Sequence, residues 1–147
     1  MREKDYFIED SGKYRGMDWV VIFRSLGHRC GYVRIEDDSI FERYEKEYDG
    51  IYIPSLDVHG GITFVNRLED VNPNGLPAGN WLGFDAAHDE DLNDYQAARQ
   101  YFGNSERYDE IERMESKYLI KTGTIKTKEY MVAECKSLID QILGEKK

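Results

Sequence analysis

Two short segments contain most of the residues whose types and spacing could support chemistry. The first is Asp57-Val-His-Gly-Gly-Ile-Thr63, and the second is Trp81-Leu-Gly-Phe-Asp-Ala-Ala-His-Asp-Glu-Asp91. Together they hold two of the three histidines of the chain, with a glycine pair after one and acidic residues around the other. The packing of a core does not require this combination. The pattern therefore predicts a polar functional site.

The first segment predicts a ligand contact within a glycine-containing strand over residues 58–66. His59 precedes Gly60 and Gly61, and glycine allows a ligand to approach the backbone and its N–H donors closely. A cluster of such donors suits a phosphate or carboxylate group, to which the hydroxyl of Thr63 could also bind. The alternative interpretation is a β-bulge whose half-buried histidine bonds to a backbone carbonyl.

The second segment places Asp85, His88 and Asp91 three residues apart, a spacing that would bring them toward one face of a helical turn. With His59 they form a candidate site for a divalent cation such as Zn, Mn or Fe. An Asp–His pair could instead orient a general base. A third interpretation is helix capping, in which Asp85 caps a turn and the acids at 89–91 favour a helix N-terminus.

The remaining candidate residues have mainly structural interpretations. Trp81 is predicted to anchor the core, and it could also form a wall of the site because it begins the strand that leads into the acidic segment. His28 lies in a predicted turn and is expected at the surface. Cys30 and Cys135 form no CxxC pair and are expected to be small buried thiols.

Composition limits the class of protein. The chain has 147 residues, of which 40% are hydrophobic and 13% aromatic, which predicts one folded domain over residues 1–147 with a motif-bearing core at about 19–143. The net charge of −9 opposes binding to duplex DNA or to an anionic membrane, since both depend on clustered Lys and Arg. Because no leader or membrane-spanning run is evident, we expect a cytoplasmic protein.

The order of the patterns predicts an α+β fold, with a mainly antiparallel sheet from the first two-thirds of the chain and C-terminal helices packed on one face. Thr127 is the expected N-cap of the last helix, and Gly144 is its expected end. The clearest loop is expected at 70–80. The predicted strands are 19–23 paired with 29–35, then 51–54, 58–66 and 81–84, and the predicted helices are 38–48 (or a loop), 94–102, 105–118 and 128–143.

Read together, the motifs resemble a family of small, mostly uncharacterised proteins of bacteriophages and prophages. The resemblance covers roughly residues 29–143 and departs from the family pattern at Ala86, where cysteine is frequent, and at Glu90, where glycine is usual. It implies a viral accessory protein made inside a bacterial cell, but it implies no activity. The matching segments are Gly31-Tyr-Val33, Asp57 to Phe64, Trp81 to Asp91, and Tyr130 to Leu138.

Three functions follow as alternatives. The favoured one is an accessory protein that binds or sequesters a small phosphorylated or nucleotide-like ligand, either as a monomer or as a homo-oligomer. Its pocket would be formed by His59, Gly60, Gly61, Thr63, Trp81, Asp85 and His88. The second is a small hydrolase whose divalent metal, held by His59, Asp85, His88 and Asp91, activates water. The third is an acidic inhibitor of a host or defence protein, of the anti-CRISPR or another anti-defence type.

Overall fold

The computed structural model describes residues 6–71, 75–88, 90–118 and 123–144, and within them the chain forms seven strands and four helices. The strands are β1 (Tyr6–Tyr14), β2 (Met17–Arg24), β3 (Arg29–Arg34), β4 (Phe64–Leu68), β5 (Gly79–Asp85), β6 (Asp91–Leu92) and β7 (Thr124–Ile125). The helices are α1 (Asp38–Glu47), α2 (Tyr95–Phe102), α3 (Ser105–Tyr118) and α4 (Lys128–Ile142).

Five strands form one antiparallel sheet in the order β1-β2-β3-β5-β4. Strands β2 and β3 make the predicted hairpin, with Trp19 opposite Val33 and Phe23 opposite Arg29. Strand β5 lies between β3 and β4, so its last residue leaves the sheet beside Cys30. This position of β5 directs the second motif to one end of the sheet.

Alternate residues of β2 face opposite sides of the sheet and belong to different apolar clusters. Trp19 and Val21 face α4, whose buried side chains are Met131, Cys135, Leu138, Ile139 and Ile142. Phe23 lies farther along the same face and packs against Tyr95 of α2 and Tyr108 of α3. Val20 and Ile22 face the other side, toward Leu76 and Trp81. The α+β prediction, with helices on one face, is confirmed.

The helix ends follow ordinary capping chemistry. Thr127 is the N-cap of α4, as predicted, and its hydroxyl accepts a hydrogen bond from the Tyr130 N–H at 3.1 Å. Beyond that helix, Gly144 adopts a φ of +80°, the conformation in which glycine commonly ends helices. Helix α1 is capped by Asp37, whose carboxylate accepts hydrogen bonds from the Ser39 N–H at 3.0 Å and the Ile40 N–H at 3.2 Å.

Three features of the strands differ from the predictions. Strand β1 was not predicted because its residues are mainly polar, yet it pairs with β2 along its length as an edge strand and bulges at Glu9. The strand predicted over 58–66 begins only at Phe64. Gly60 and Gly61 have φ values of +70° and +82°, which an extended strand cannot contain. Residues 51–54 are also irregular, and part of the loop predicted at 70–80 lies outside the described residues.

Both cysteines are buried and free, as expected. Burial raises the pKa of the Cys30 thiol to about 11 and that of Cys135 to about 12. Neither thiol is therefore an activated nucleophile. Among the described residues, no helix has the length and apolar character that crossing a membrane requires.

A buried ionic network is centred on Arg29 of β3. The guanidinium of Arg29, whose side chain is 6% exposed, donates to Glu9 at 2.6 Å and to Asp94 at 3.0 Å. It also donates to the backbone oxygen of Lys126 at 3.1 Å. These bonds connect β1 and β3 to the N-cap of α2 and to the segment that precedes α4.

We expect Arg29→Met to lower the free energy of unfolding by about 3–5 kcal/mol, because it leaves the buried carboxylate of Glu9 without its cation. Urea denaturation at neutral pH measures this change. The matched control is Lys46→Met, which breaks an exposed pair with Glu42 on α1 and should leave stability nearly unchanged. Equal effects of the two substitutions would contradict the role assigned to the network.

Candidate functional site

The two motif segments meet at one cleft. The ring centroids of His59 and His88 are 6.2 Å apart. The cleft has a volume of about 470 Å³ and is lined by His59, Gly60, Ala87, His88, Glu90 and Asp91. His59 and His88 are about 30 positions apart in the chain, yet they share one surface, as a common site requires.

A tight turn places His59 at the cleft. The Gly61 N–H donates to the carbonyl of Val58 at 2.9 Å, and Gly60, the third residue of the turn, has the positive φ that a type II turn requires. The His59 N–H donates to Glu134 Oε1 at 2.8 Å. The backbone donors of His59 and Gly61 are therefore engaged within the protein, so they do not form the expected phosphate-binding cluster.

Both ring nitrogens of His59 have partners. Nε2 lies 2.9 Å from Asp91 Oδ1, and Nδ1 lies 2.9 Å from the hydroxyl of Tyr130. With the proton on Nε2, the ring donates to the carboxylate and accepts from the tyrosine. Tyr130 and Glu134 lie one turn apart on α4, so a single face of that helix holds both the ring and the backbone of His59.

Asp91 is the buried anchor of the site. Its side chain is 1% exposed, and its carboxylate lies 3.0 Å from Lys126 Nζ and accepts the His88 N–H at 3.0 Å. Burial raises the pKa of Asp91, but the bonds with His59, the His88 N–H and Lys126 outweigh burial and hold that pKa below its ordinary value. The residue belongs to β6, which pairs with β7, so it does not serve as a helix cap.

A second Asp–His pair lies at the cleft surface. His88 Nε2 is 3.3 Å from Asp85 Oδ1, and Asp85 is itself held by the hydroxyl of Thr63 at 3.1 Å and by the Ala87 N–H at 3.1 Å. The His88 side chain is 43% exposed. A Cβ at Gly60 would lie 2.2 Å from His88 Nε2, so only glycine leaves room for this ring position. The arrangement resembles a carboxylate orienting an imidazole for proton transfer.

The four predicted metal ligands are distributed between these two pairs. Among the described residues, no three His, Cys, Asp or Glu side chains are arranged to hold a metal ion. Asp91 faces His59 and the ammonium of Lys126, while Asp85 faces His88 and Thr63. In this arrangement hydrogen bonds and an ion pair occupy positions that a cation would otherwise need.

Four predicted pocket residues do not line the cleft: Trp81, Gly61, Thr63 and Asp85. Asp85 acts on the cleft through His88, whose Nε2 lies 3.3 Å from its carboxylate. Trp81 is 1% exposed and packs in the apolar cluster on the opposite face of the sheet, where its indole N–H donates to the Pro77 carbonyl at 2.9 Å. The interpretation of Trp81 as a core anchor is confirmed. Gly61 completes the turn below His59, and Thr63 supports Asp85. These two residues therefore act on the cleft through their neighbours.

Sequence reasoning missed Lys126, Tyr130 and Glu134. They lie more than 60 positions after His59, and no local spacing pattern connects them to it. The available signal was weak, since Tyr130 and Glu134 are two residues one turn apart beside the apolar stripe of the last helix. Lys126 carries no pattern of its own. Only the packing of α4 against the sheet brings these groups to the site.

A second cleft adjoins the first. It has a volume of about 320 Å³ and is lined by Leu26, His28, Ala87, His88, Asp91, Asn93, Tyr95 and Ile111. His28, expected at the surface, is half-buried at its edge. Burial lowers the pKa of His28, which favours its neutral form. All three histidines of the chain therefore border connected clefts.

Comparison of the chain with protein-family models, with curated proteins and with solved structures gives no match. The resemblance to phage proteins therefore stays a prediction.

We expect Asp91→Asn to lower the free energy of unfolding at neutral pH by about 3–5 kcal/mol, because Lys126 would lose its buried anion. The pKa of Asp91 is depressed in the folded state, so its contribution is present above the ordinary Asp value and is lost as the pH falls through the folded value. The difference between the two proteins should therefore shrink below a pH of about 4. Denaturant unfolding at several pH values measures it.

The control is Asp57→Asn, an exposed position that is held to Gln141 through its backbone. This variant should match the original protein across the same pH range. Asp91→Asn and the original protein could instead differ in their free energy of unfolding by the same amount at every pH. This result would contradict the assignment of a charged, stabilising carboxylate to Asp91.

Proposed function

We propose that this protein binds a small phosphorylated or nucleotide-like ligand in the cleft between His59 and His88. The observation that carries the proposal is the convergence of two histidine-containing motifs on one open cleft, with ring centroids 6.2 Å apart. Concave sites with a few convergent polar groups are the usual places for small ligands.

The hydrogen bonding and exposure of the two histidines favour His88 as the principal ligand contact. His59 is engaged through both ring nitrogens, whereas His88 is 43% exposed and is held by Asp85 and Gly60. A protonated ring nitrogen of an imidazole donates hydrogen bonds to phosphate oxygens. Asp91 is buried against Lys126 and therefore repels an incoming anion less than an unpaired carboxylate would.

Binding is favoured over metal-dependent hydrolysis. A catalytic zinc commonly has three protein ligands, and the described residues contain no such group. The hydrolase proposal predicts a bound stoichiometric metal, so metal analysis of the purified protein distinguishes the two functions. In the setting that the phage resemblance implies, binding would sequester a nucleotide inside a bacterial cell.

We expect Gly60→Ala to weaken binding of a nucleoside monophosphate by tenfold or more, since the added methyl group must displace the His88 ring. A tenfold change corresponds to about 1.4 kcal/mol. Isothermal titration calorimetry with adenosine, guanosine, cytidine and uridine 5′-monophosphates measures the effect. The experiment removes no polar side chain.

Gly50→Ala is the matched control. Gly50 also has a positive φ, so alanine introduces similar backbone strain, but this residue lines neither cleft and its Cβ would meet nothing within 4 Å. Its affinity should stay close to that of the original protein. If no nucleotide binds the original protein, or if both variants lose affinity equally, the proposed site is wrong.

A further inference from the structure

The cleft at His59 and His88 continues beyond the His88 ring into the second cleft, and the two share Ala87, His88 and Asp91 as lining residues. Their chemistry differs. The first contains polar side chains around Gly60, whereas the second adds Leu26, Tyr95 and Ile111, with Asn93 and His28 beside them. A ligand that spans both would meet a polar end and an apolar end.

We propose that the two clefts form one nucleotide groove, with the phosphate at His59 and His88 and the nucleobase against Leu26 and Ile111. This inference rests on the proposed function and deepens it by assigning a base-binding subsite. The two volumes, about 470 and 320 Å³, together match the range of small-molecule pockets.

The apolar wall is exposed and held in place. Leu26 is 60% exposed in the turn between β2 and β3. The Gly27 N–H donates to the Arg24 carbonyl at 2.8 Å, and the Asp94 N–H donates to the Gly27 carbonyl at 2.7 Å. A flat base placed on this side chain would remove apolar surface from water without requiring the turn to rearrange.

Asn93 offers hydrogen bonds to the edge of a base. Its amide nitrogen donates to the Tyr95 hydroxyl at 3.0 Å, and that hydroxyl donates to Glu115 at 2.7 Å. This chain of bonds fixes the orientation of the amide. Within the described part of the protein, the carbonyl oxygen of the Asn93 side chain accepts no hydrogen bond, so it can accept one from a base amino or ring N–H group.

The residues that line the two clefts determine which end of the ligand lies in which cleft. Because burial favours the neutral form of His28, this ring suits contact with a base better than contact with a phosphate. The exposed His88 remains for the anionic end. An acyl chain in the second cleft would offer no donor to the side-chain carbonyl oxygen of Asn93 and no polar contact to the His28 ring, which costs free energy. A nucleobase satisfies both the apolar and the polar walls.

The test measures the affinity of the intact chain for adenosine 5′-monophosphate, adenosine and ribose 5-phosphate by calorimetry, with the guanosine, cytidine and uridine nucleotides as further probes. Leu26→Ala should weaken nucleotide and nucleoside binding about tenfold, because it removes the apolar surface that the base would cover, and should leave ribose 5-phosphate unaffected. The control is Leu143→Ala, which truncates another exposed leucine, at the end of α4, and should change neither affinity.

The outcomes separate this inference from the proposed function. If nucleotides bind no better than ribose 5-phosphate and Leu26→Ala has no effect, the base subsite is wrong while the phosphate site stands. Tighter binding of an alkyl phosphate than of any nucleotide would also overturn the base subsite. If no phosphorylated probe binds, both assignments fail.

Discussion

The buried carboxylate of Asp91 is the constraint on which the site depends. A carboxylate that is 1% exposed must be matched by donors, and here they come from three separate segments, through His59, Lys126 and the His88 N–H. Removing any one partner leaves the charge less compensated, so the three segments are held together. Behind this cluster, Arg29 donates to the Lys126 carbonyl and links the site to the buried ionic network of the sheet.

This arrangement gives the two site histidines different roles. His59 is held between Asp91 and Tyr130 and forms a fixed wall of the cleft. His88 is exposed, yet Asp85 and the absent side chain of Gly60 determine where its ring lies. A site of this kind presents an oriented imidazole at little entropic cost to an incoming ligand, because the ring is already positioned before binding.

Local sequence patterns predicted the strands and helices that depend mainly on their own residues and their immediate neighbours in the chain. The hairpin of β2 and β3 and the capped helix α4 follow from apolar runs, helical spacing and the Thr127 cap. Strand β1 is specified by pairing with β2, so its polar residues carried no strand signal. The strand predicted at Gly60 and Gly61 is wrong, because the positive φ values of both glycines produce a turn. The partners of His59 on α4 could not be predicted, because tertiary packing alone brings them together.

The most direct test of ligand binding at this cleft is the long-range ¹H–¹⁵N spectrum of the histidine rings during titration with a nucleoside monophosphate. The chain has three histidines, so each ring can be assigned by substitution. We expect saturable shifts that are largest for His88, with smaller shifts for His59 and His28, which border the same groove. If all three rings keep their resonances while the nucleotide binds, the ligand lies elsewhere on the protein and the assignment of the binding site to His59 and His88 is wrong.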